Sequence, residues 1–359
     1  MQILRFWVVA IGLVALAASC HHRGNRMVIN NGDDNVDLNY AGDIRFNDSE
    51  TTIEAITEGG FVNYWHNADR VLAGPDGKGG VEIEMYEHGE KIGTGTAEGR
   101  KLMTAMVRDL IGLGFDADER ADRIYRKGGY PALLAETDSL RGDYVKGLYF
   151  GRLLRRDTIP PGEMAIILQK IGHTLASDND KRRLLAQVDS SYLRNDSVAG
   201  SYLDDVAGIN SDYEKSQALA YFLQSPLPEG RYVRTLDVVK TMNGDYERST
   251  VLEKVIDKGI VEGAPFDTLL AVIGGMGGDF EKSKLLKGIS RTDVKEARSW
   301  AALIGASSRL EGDNEKGNVL IEIAHRLPRT DSLRAVYVAA AKTVHSDNDY
   351  GRVMRAMEN

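Results

Sequence analysis

The chain has 359 residues, of which 42% are hydrophobic and 27% are charged, and its formal net charge is −8. This hydrophobic content is sufficient for a packed core, and the length allows two or more domains. An acidic chain with scattered basic residues is poorly suited to polyanions. Composition therefore argues against nucleic acid or an anionic lipid surface as the main partner.

The first 19 residues have the pattern of a secretory signal. Arg5 is followed by an uncharged, mainly apolar stretch from Phe6 to Ser19, and Cys20 comes directly after it. As a helix this stretch would be roughly 21 Å long, shorter than the roughly 30 Å hydrocarbon core that a spanning helix must cross. We therefore expect residues 1–19 to be a signal peptide that is removed, not a lasting membrane span.

Cys20 is the only cysteine in the chain, and it stands at the expected cleavage point. The small residues Ala17, Ala18 and Ser19 before it resemble the lipobox of bacterial lipoproteins, although that pattern usually has leucine where this chain has Ala17. The resemblance implies acyl chains on Cys20, and two or more such chains hold a protein stably on a membrane. It implies an envelope protein that faces the periplasm, on the outer membrane. An ordinary signal peptide with a chance cysteine is the alternative.

The residues after the cysteine divide into a polar stretch and a segment of alternating pattern. Residues 20–35 are rich in asparagine and aspartate, which predicts a flexible tether between lipid and fold. Over residues 36–97 apolar and polar residues alternate, as in Val81-Glu82-Ile83-Glu84-Met85-Tyr86, and glycine-rich turns interrupt the alternation. Half-buried strands have this period of two. We expect a small antiparallel β domain over 36–97.

Aromatic residues in the β domain have two possible roles. Phe61 and Trp65 are expected to fill its core. Alternatively, Tyr64, Trp65 and Tyr86 lie on an exposed face of the sheet, where they would contact a ligand such as an extended peptide or a glycan strand.

From residue 98 onward the pattern is helical, and it becomes repetitive. Aspartates preceded by glycine or serine recur every 33 to 35 residues, at Asp143, Asp178, Asp212, Asp245, Asp279, Asp313 and Asp347. A mostly apolar pair follows each aspartate six and seven residues later, and a second apolar stripe precedes the next one. Each period is therefore a pair of helices, which buries its apolar faces only by stacking on neighbours.

These patterns together predict an α+β chain that is mainly α. Residues 98–142 are expected to form linking helices and a degenerate first repeat, and residues 143–359 an α-solenoid of helix-turn-helix repeats. The architecture is analogous to that of tetratricopeptide repeats, which have a similar period, but their Trp, Leu-Gly and Tyr pattern is missing.

The seven repeated aspartates are interpreted as helix caps. Short acidic side chains at a helix start accept hydrogen bonds from its unpaired N–H groups and complement its dipole. Recurrence at every helix start favours this structural role over acid–base chemistry. The seven histidines are scattered and no HExxH motif is found, so we predict no catalytic residue, metal site or cofactor. A hydrolase assembled from dispersed carboxylates is the less favoured alternative.

Several short strings support a family resemblance. They are Asp43-Ile44-Arg45-Phe46-Asn47-Asp48, Glu58-Gly59-Gly60, Val81-Glu82-Ile83-Glu84, and Gly128-Gly129 followed by Asp143-Tyr144-Val145-Lys146. The stretch from Asp43 to about Leu154 thereby resembles an extracytoplasmic segment of bacterial membrane metallopeptidases of the β-lactam-sensor class. This chain has neither their multi-span peptidase domain nor its zinc motif. The resemblance therefore implies an accessory or sensing part without protease activity.

The sequence as a whole predicts a non-catalytic envelope lipoprotein that serves as an interaction scaffold or as a sensor subunit. Its expected partners are another envelope protein, of unknown identity, and the membrane through the lipid on Cys20. A binding module for an extended peptide or glycan is the alternative function.

Overall fold

The computed structural model describes residues 24–31, 34–156, 158–225 and 227–358. The signal segment and Cys20 lie outside these residues. The chain forms two compact units with their boundary between Asp116 and Ala117. The first contains an antiparallel sheet and the second is helical, which confirms the α+β, mainly α class. None of the described helices combines the length and the apolar composition needed to cross a bilayer.

Eight strands and one helix make up the described part of the first unit. They are β1 (Asn25–Asn31), β2 (Asp34–Ala41), β3 (Ile44–Phe46), β4 (Ile53–Ile56), β5 (Phe61–His66), β6 (Asp69–Pro75), β7 (Val81–Glu87), β8 (Glu90–Ile92) and α1 (Ala97–Gly112). Six of the strands form one antiparallel sheet in the order β1-β2-β5-β6-β7-β8, and β3 and β4 pair separately. The antiparallel sheet is as predicted.

The alternating pattern places one face of the six-stranded sheet in the core. Leu38, Tyr64, Val71 and Met85 occupy neighbouring positions on this face and are fully buried. The Tyr64 hydroxyl donates a hydrogen bond of 2.6 Å to the Asp109 carboxylate on α1. Helix α1 lies within the first unit, whereas the sequence grouped it with the linking helices and degenerate first repeat of residues 98–142.

The structure also corrects the tether expected over residues 20–35. Asn25–Asn31 forms β1, which pairs antiparallel with β2. Met27 and Ile29 lie opposite Leu38 and Val36, so their apolar side chains stand on the same face of the sheet as these buried residues, with Met27 at its exposed margin. Local composition indicated a solvated spacer because the surrounding asparagines and aspartates outnumber these apolar residues. The pairing with β2 overrides that local preference.

The second unit consists of helices joined by short turns. Its helices are α2 (Ala117–Ser139), α3 (Asp143–Leu154), α4 (Pro161–Thr174), α5 (Asp178–Leu185), α6 (Asp196–Ala207), α7 (Asp212–Phe222), α8 (Glu229–Lys240), α9 (Asp245–Ile256), α10 (Gly263–Gly274), α11 (Asp279–Ser290), α12 (Ala297–Ser307), α13 (Asp313–Ala324), α14 (Asp331–Ala341) and α15 (Asp347–Glu358). Helix α2 is broken at Gly128 and at Gly129, whose φ is +65°. Its two halves form a shortened helical pair.

Each helix packs against the helix two places further along the chain. The first helices of the pairs stack in the series α3, α5, α7, α9, α11, α13 and α15, and the second helices in the series α4, α6, α8, α10, α12 and α14. The apolar pairs predicted six and seven residues after each aspartate are buried to 2% exposure or less, apart from half-buried Met354. The described chain thus contains a stacked array of helical pairs, as the period predicts.

The repeat model is tested by deleting one full period from the array. Removing residues 245–278 joins Gly244 directly to Asp279, so the helical pairs on either side can stack as before. We expect this variant to retain a single cooperative thermal transition by circular dichroism. Removing only residues 245–261 leaves one second-type helix between two pairs, and we expect a broadened transition at lower temperature. Equal loss of cooperativity in the two variants would contradict the modular array.

Candidate functional site

The repeated aspartates connect each helical pair to the next. In six of them the Oδ2 atom accepts hydrogen bonds from the backbone N–H groups of the two residues that precede the next repeat's aspartate. The distances are 2.5–3.1 Å, from Asp143 to residues 176 and 177, Asp178 to 210 and 211, Asp212 to 243 and 244, Asp245 to 277 and 278, Asp279 to 311 and 312, and Asp313 to 345 and 346. We call this arrangement the inter-repeat clasp.

The clasp revises the capping role that the sequence predicts for these aspartates. In the first helix of each pair from α3 to α13, the N-cap is the residue before the aspartate, as in Ser177 and Ser211, whose hydroxyls accept from the backbone N–H of Asp180 and Glu214. The aspartate is the first helical residue instead, and its carboxylate serves the start of the following repeat. Asp347 has the corresponding place at the start of α15.

Charge-assisted hydrogen bonding affects the ionisation of the clasp carboxylates. Burial alone would raise the pKa of Asp279, but the backbone N–H groups of Gly312 and Glu311 together with the Lys282 ammonium outweigh it and lower the pKa. The pKa of Asp313 is lowered mainly by the N–H of His345. Both carboxylates are therefore held in the ionised form that accepts two hydrogen bonds.

A basic residue stands three positions after each of the first six aspartates, and in three repeats it forms a second contact that sequence reasoning missed. Lys215 donates to Thr241 Oγ1 at 3.0 Å, Arg248 to the Gly275 carbonyl at 3.4 Å, and Lys316 to the Thr343 carbonyl at 2.9 Å. Each acceptor lies at or just after the end of the second helix of the same pair, where a cation complements the helix dipole. The recurrence of lysine or arginine at one fixed offset was the available signal.

The residue directly after each aspartate is directed into solvent. Four of these positions carry aromatic side chains, Tyr144, Tyr213, Tyr246 and Phe280, with 52%, 61%, 71% and 70% exposure. The remaining three carry asparagine. Large aromatic side chains at this level of exposure contribute little to the core, so their contact area is available to a ligand.

Three of these aromatics occupy the same position of three helices stacked in succession. Tyr213 lies on α7, Tyr246 on α9 and Phe280 on α11, and α9 packs against both of the others. Packed helices have axes about 8–10 Å apart, so the three rings extend over about 20 Å. We call Tyr213, Tyr246 and Phe280 the aromatic row.

The aromatics predicted as ligand contacts on the sheet are not all on one face. Tyr64 is fully buried and bonded to Asp109, so its assignment as a ligand contact was wrong. Trp65, the next residue on the strand, points to the opposite face and is 38% exposed, so it does not fill the core as predicted. The Arg70 guanidinium lies 4.6 Å from its ring centroid. Tyr86 is half-buried, and its hydroxyl lies 3.2 Å from the Glu84 carboxylate.

An open depression of about 510 Å³ lies on the first unit beside these residues. Its lining includes Phe61, Asn63 and Leu72 together with Gly74 and Glu84. Asn63 also accepts a 3.0 Å hydrogen bond from Arg70, so the depression adjoins the side of the sheet that carries Trp65. The combination of an aromatic ring, an amide and carboxylates is suited to a polar ligand with an apolar face.

One buried carboxylate in the helical unit departs from the repeat pattern. Asp205 on α6 is 6% exposed, and its Oδ2 has no hydrogen-bond partner. A Cβ atom on residue 172 would lie 2.0 Å from Asp205 Oδ1, so α4 accommodates this side chain only because Gly172 has none. Burial raises the pKa of Asp205 to about 8, against the opposing effect of Lys181. Asp205 is a candidate source of pH-dependent stability.

Within the described ranges no group of three or more His, Cys, Asp or Glu side chains is placed to hold a metal ion. No family model matches the chain, and comparisons with curated proteins and with solved structures find no significant match. The functional conclusions therefore rest on the geometry of the aromatic row and of the sheet.

Replacing Asp245 with alanine tests the clasp. The Gly277 and Gly278 N–H groups would lose their shared acceptor, and we expect the free energy of unfolding to fall by about 1–3 kcal/mol. Urea denaturation followed by circular dichroism measures this change. The matched control is Asp347→Ala at the start of the last described helix, where only the charge at the helix start is lost. Equal losses in the two variants would show that the bonds between repeats contribute nothing.

The pH dependence of stability tests the burial of Asp205. Between the ordinary pKa of 3.8 and about 8, the folded chain holds a proton on Asp205 that the unfolded chain has lost. The free energy of unfolding therefore falls as pH rises across this interval. The uncharged Asp205→Asn variant should have a higher melting temperature than the parent at pH 8, and this difference should shrink towards pH 4. Asp257→Asn, at the exposed C-cap of α9, is the control and should leave this pH dependence of the melting temperature unchanged.

Proposed function

We propose that this protein is a non-catalytic scaffold of the cell envelope, held to the membrane by lipid on Cys20, which binds an extended segment of a partner protein along the aromatic row. The observation that carries the proposal is the presentation of Tyr213, Tyr246 and Phe280 at one position of three consecutive repeats, each more than 60% exposed. Exposed aromatic residues are enriched where protein interfaces concentrate their binding energy.

The spacing of the row favours an extended polypeptide as the ligand. An extended chain advances about 3.3 Å per residue, so rings about 8–10 Å apart contact every third residue. Stacked repeats commonly bind partners along such extended surfaces, because each repeat adds one equivalent contact. The ligand segment would therefore carry side chains for the rings at intervals of three.

The charges beside the row favour basic residues in that segment. Each ring stands between two acidic residues in the sequence, as in Asp212-Tyr213-Glu214, Asp245-Tyr246-Glu247 and Asp279-Phe280-Glu281. The basic residues at the same helix starts are mostly buried, because Lys215 and Arg248 contact the ends of second helices. Glu214 is already paired with Arg182 at 2.7 Å, so lysine or arginine in the ligand would meet chiefly the Glu247 carboxylate and could stack on the rings.

Sequence features support the location and the class of the scaffold. The signal segment and Cys20 favour attachment to the envelope, and the resemblance over Asp43 to about Leu154 favours an accessory or sensor subunit. Lipid attachment would confine the row to the vicinity of membrane proteins and raise its effective concentration for them.

A second candidate function uses the sheet. The exposed Trp65 ring beside Arg70 and the neighbouring depression over Gly74 favour a binding module for a glycan. Trp65→Ala discriminates between the two functions, because it removes the exposed ring from the sheet and leaves the aromatic row intact. It should therefore abolish binding of a glycan to the sheet and leave binding of a partner protein to the aromatic row unchanged.

The scaffold proposal is tested by chemical crosslinking in native membranes, followed by capture of the chain and identification of attached proteins. We expect one envelope protein to be enriched, and its recovery to fall at least tenfold when Tyr213, Tyr246 and Phe280 are all changed to alanine, as expected when several binding hot spots are lost. The matched control changes Asn179, Asn314 and Asn348 to alanine, at the same position of other repeats. Recovery that is equal in the two variants would exclude the row as the binding surface.

A further inference from the structure

The outer edge of the six-stranded sheet is formed by β1. Strand β1 pairs with β2 on one side, and no other strand within the described ranges pairs with its second side. An edge strand presents unpaired N–H and C=O groups that can accept a further strand. Seven residues, Asn25–Asn31, are available for such pairing.

The two edges of this sheet differ in how they are protected. At the opposite edge, β8 has only three residues and carries Glu90 and Lys91, whose charges disfavour pairing with another chain. Strand β1 carries one charged residue, Arg26, whose guanidinium forms a 2.6 Å ion pair with Asp37 on β2. Its centre is apolar, and Met27 and Val28 are 37% and 55% exposed. Edge β1 therefore lacks the features that normally prevent association.

The sequence of β1 is complementary to itself in the antiparallel direction. With the two-fold axis at Val28, Val28 of one copy lies opposite Val28 of the other, and Met27 lies opposite Ile29. Arg26 lies opposite the uncharged residue 30, so no like charges face each other. The pairing would also continue the apolar face, because Met27 and Ile29 lie on the same side of the sheet as Leu38 and Val36.

We propose that two copies of this chain associate through β1, which forms an antiparallel pair about Val28 and joins the two sheets into one of twelve strands. Such a contact is isologous, so it closes after two copies and leaves no further β1 edge. The association does not depend on the aromatic row or on its ligand. It makes the scaffold bivalent, with one aromatic row in each copy.

The first experiment measures mass by sedimentation velocity over a concentration series of the full chain in detergent. We expect a dimer, and at least tenfold weaker dimerisation in Val28→Lys, because two lysines would face each other at the axis. In the separate chain this lysine lies opposite Asp37, and the position is exposed, so folding is preserved. Val28→Thr is the matched control and keeps the dimer. Circular dichroism verifies that all the variants are folded.

The second experiment tests the register by oxidation of single cysteines in a Cys20→Ser chain. In the proposed pair the two Val28 Cα atoms lie about 4.5–5.5 Å apart, within the range for a disulfide. Val28→Cys should therefore form a disulfide-linked dimer rapidly. Arg26→Cys is the control on the same face of the strand, because the two copies of this residue would be about 13 Å apart.

The outcomes are decisive in each case. A dimer that Val28→Lys weakens and Val28→Cys traps establishes the β1 pair. A chain that remains monomeric without crosslinking overturns the proposal. A dimer that Val28→Lys leaves intact, or that Arg26→Cys traps as fast as Val28→Cys, also overturns it, because the contact would then use another surface or register.

Discussion

The helical unit depends on one interaction, the carboxylate of an aspartate accepting two backbone N–H groups from the start of the next repeat. A helix start leaves its first N–H groups without partners inside the helix, and a buried unpaired N–H is costly. Supplying the acceptor from the preceding repeat satisfies these groups and at the same time positions the next helix. Because the contact recurs from Asp143 to Asp313 with nearly identical geometry, successive first helices begin at the same level. The residue after each aspartate is thereby aligned as well, and this alignment creates the aromatic row.

The basic residue three positions further on complements the clasp. Burying a carboxylate without compensating charge would be unfavourable, and the lysine or arginine one helical turn away supplies that charge while bonding the end of the second helix. At Arg248 and Lys282 this residue lies within 3.7 Å and 3.3 Å of the aspartate of its own repeat. In the repeats that begin at Asp212, Asp245 and Asp313, one acidic side chain thus serves donors at a helix start and one basic side chain serves an acceptor at a helix end. Of the acidic residues that follow the exposed positions, Asp180, Glu214 and Asp349 form ion pairs with arginines, whereas Glu247 beside Tyr246 is left to contribute negative charge at the edge.

Features that arise from spacing within a short segment were predictable from the sequence, whereas features that depend on residues far along the chain were not. The 34-residue period, the buried apolar pairs and the antiparallel strands were predictable, because each arises from spacing within a short segment. The role of the aspartates was only half predictable, since their hydrogen-bond partners lie more than 30 residues away. Tyr64 and Trp65 could not be separated, because either register of the strand buries one aromatic ring, and the choice depends on Asp109 in α1. Strand β1 was missed for the same reason, as pairing with β2 decides its conformation.

The aromatic row could have been found from the sequence, by reading each repeat for positions that the fold leaves free. The aspartate, the basic residue and the apolar pair are required for stacking, and they recur with little variation. The position after the aspartate is different, because it carries tyrosine or phenylalanine in four repeats and asparagine at 179, 314 and 348. Those repeats stack through the same clasp, so the fold does not require an aromatic ring there. Large rings held in solvent without a structural requirement are most simply explained by a ligand, and their grouping in three consecutive repeats indicates a ligand that is extended.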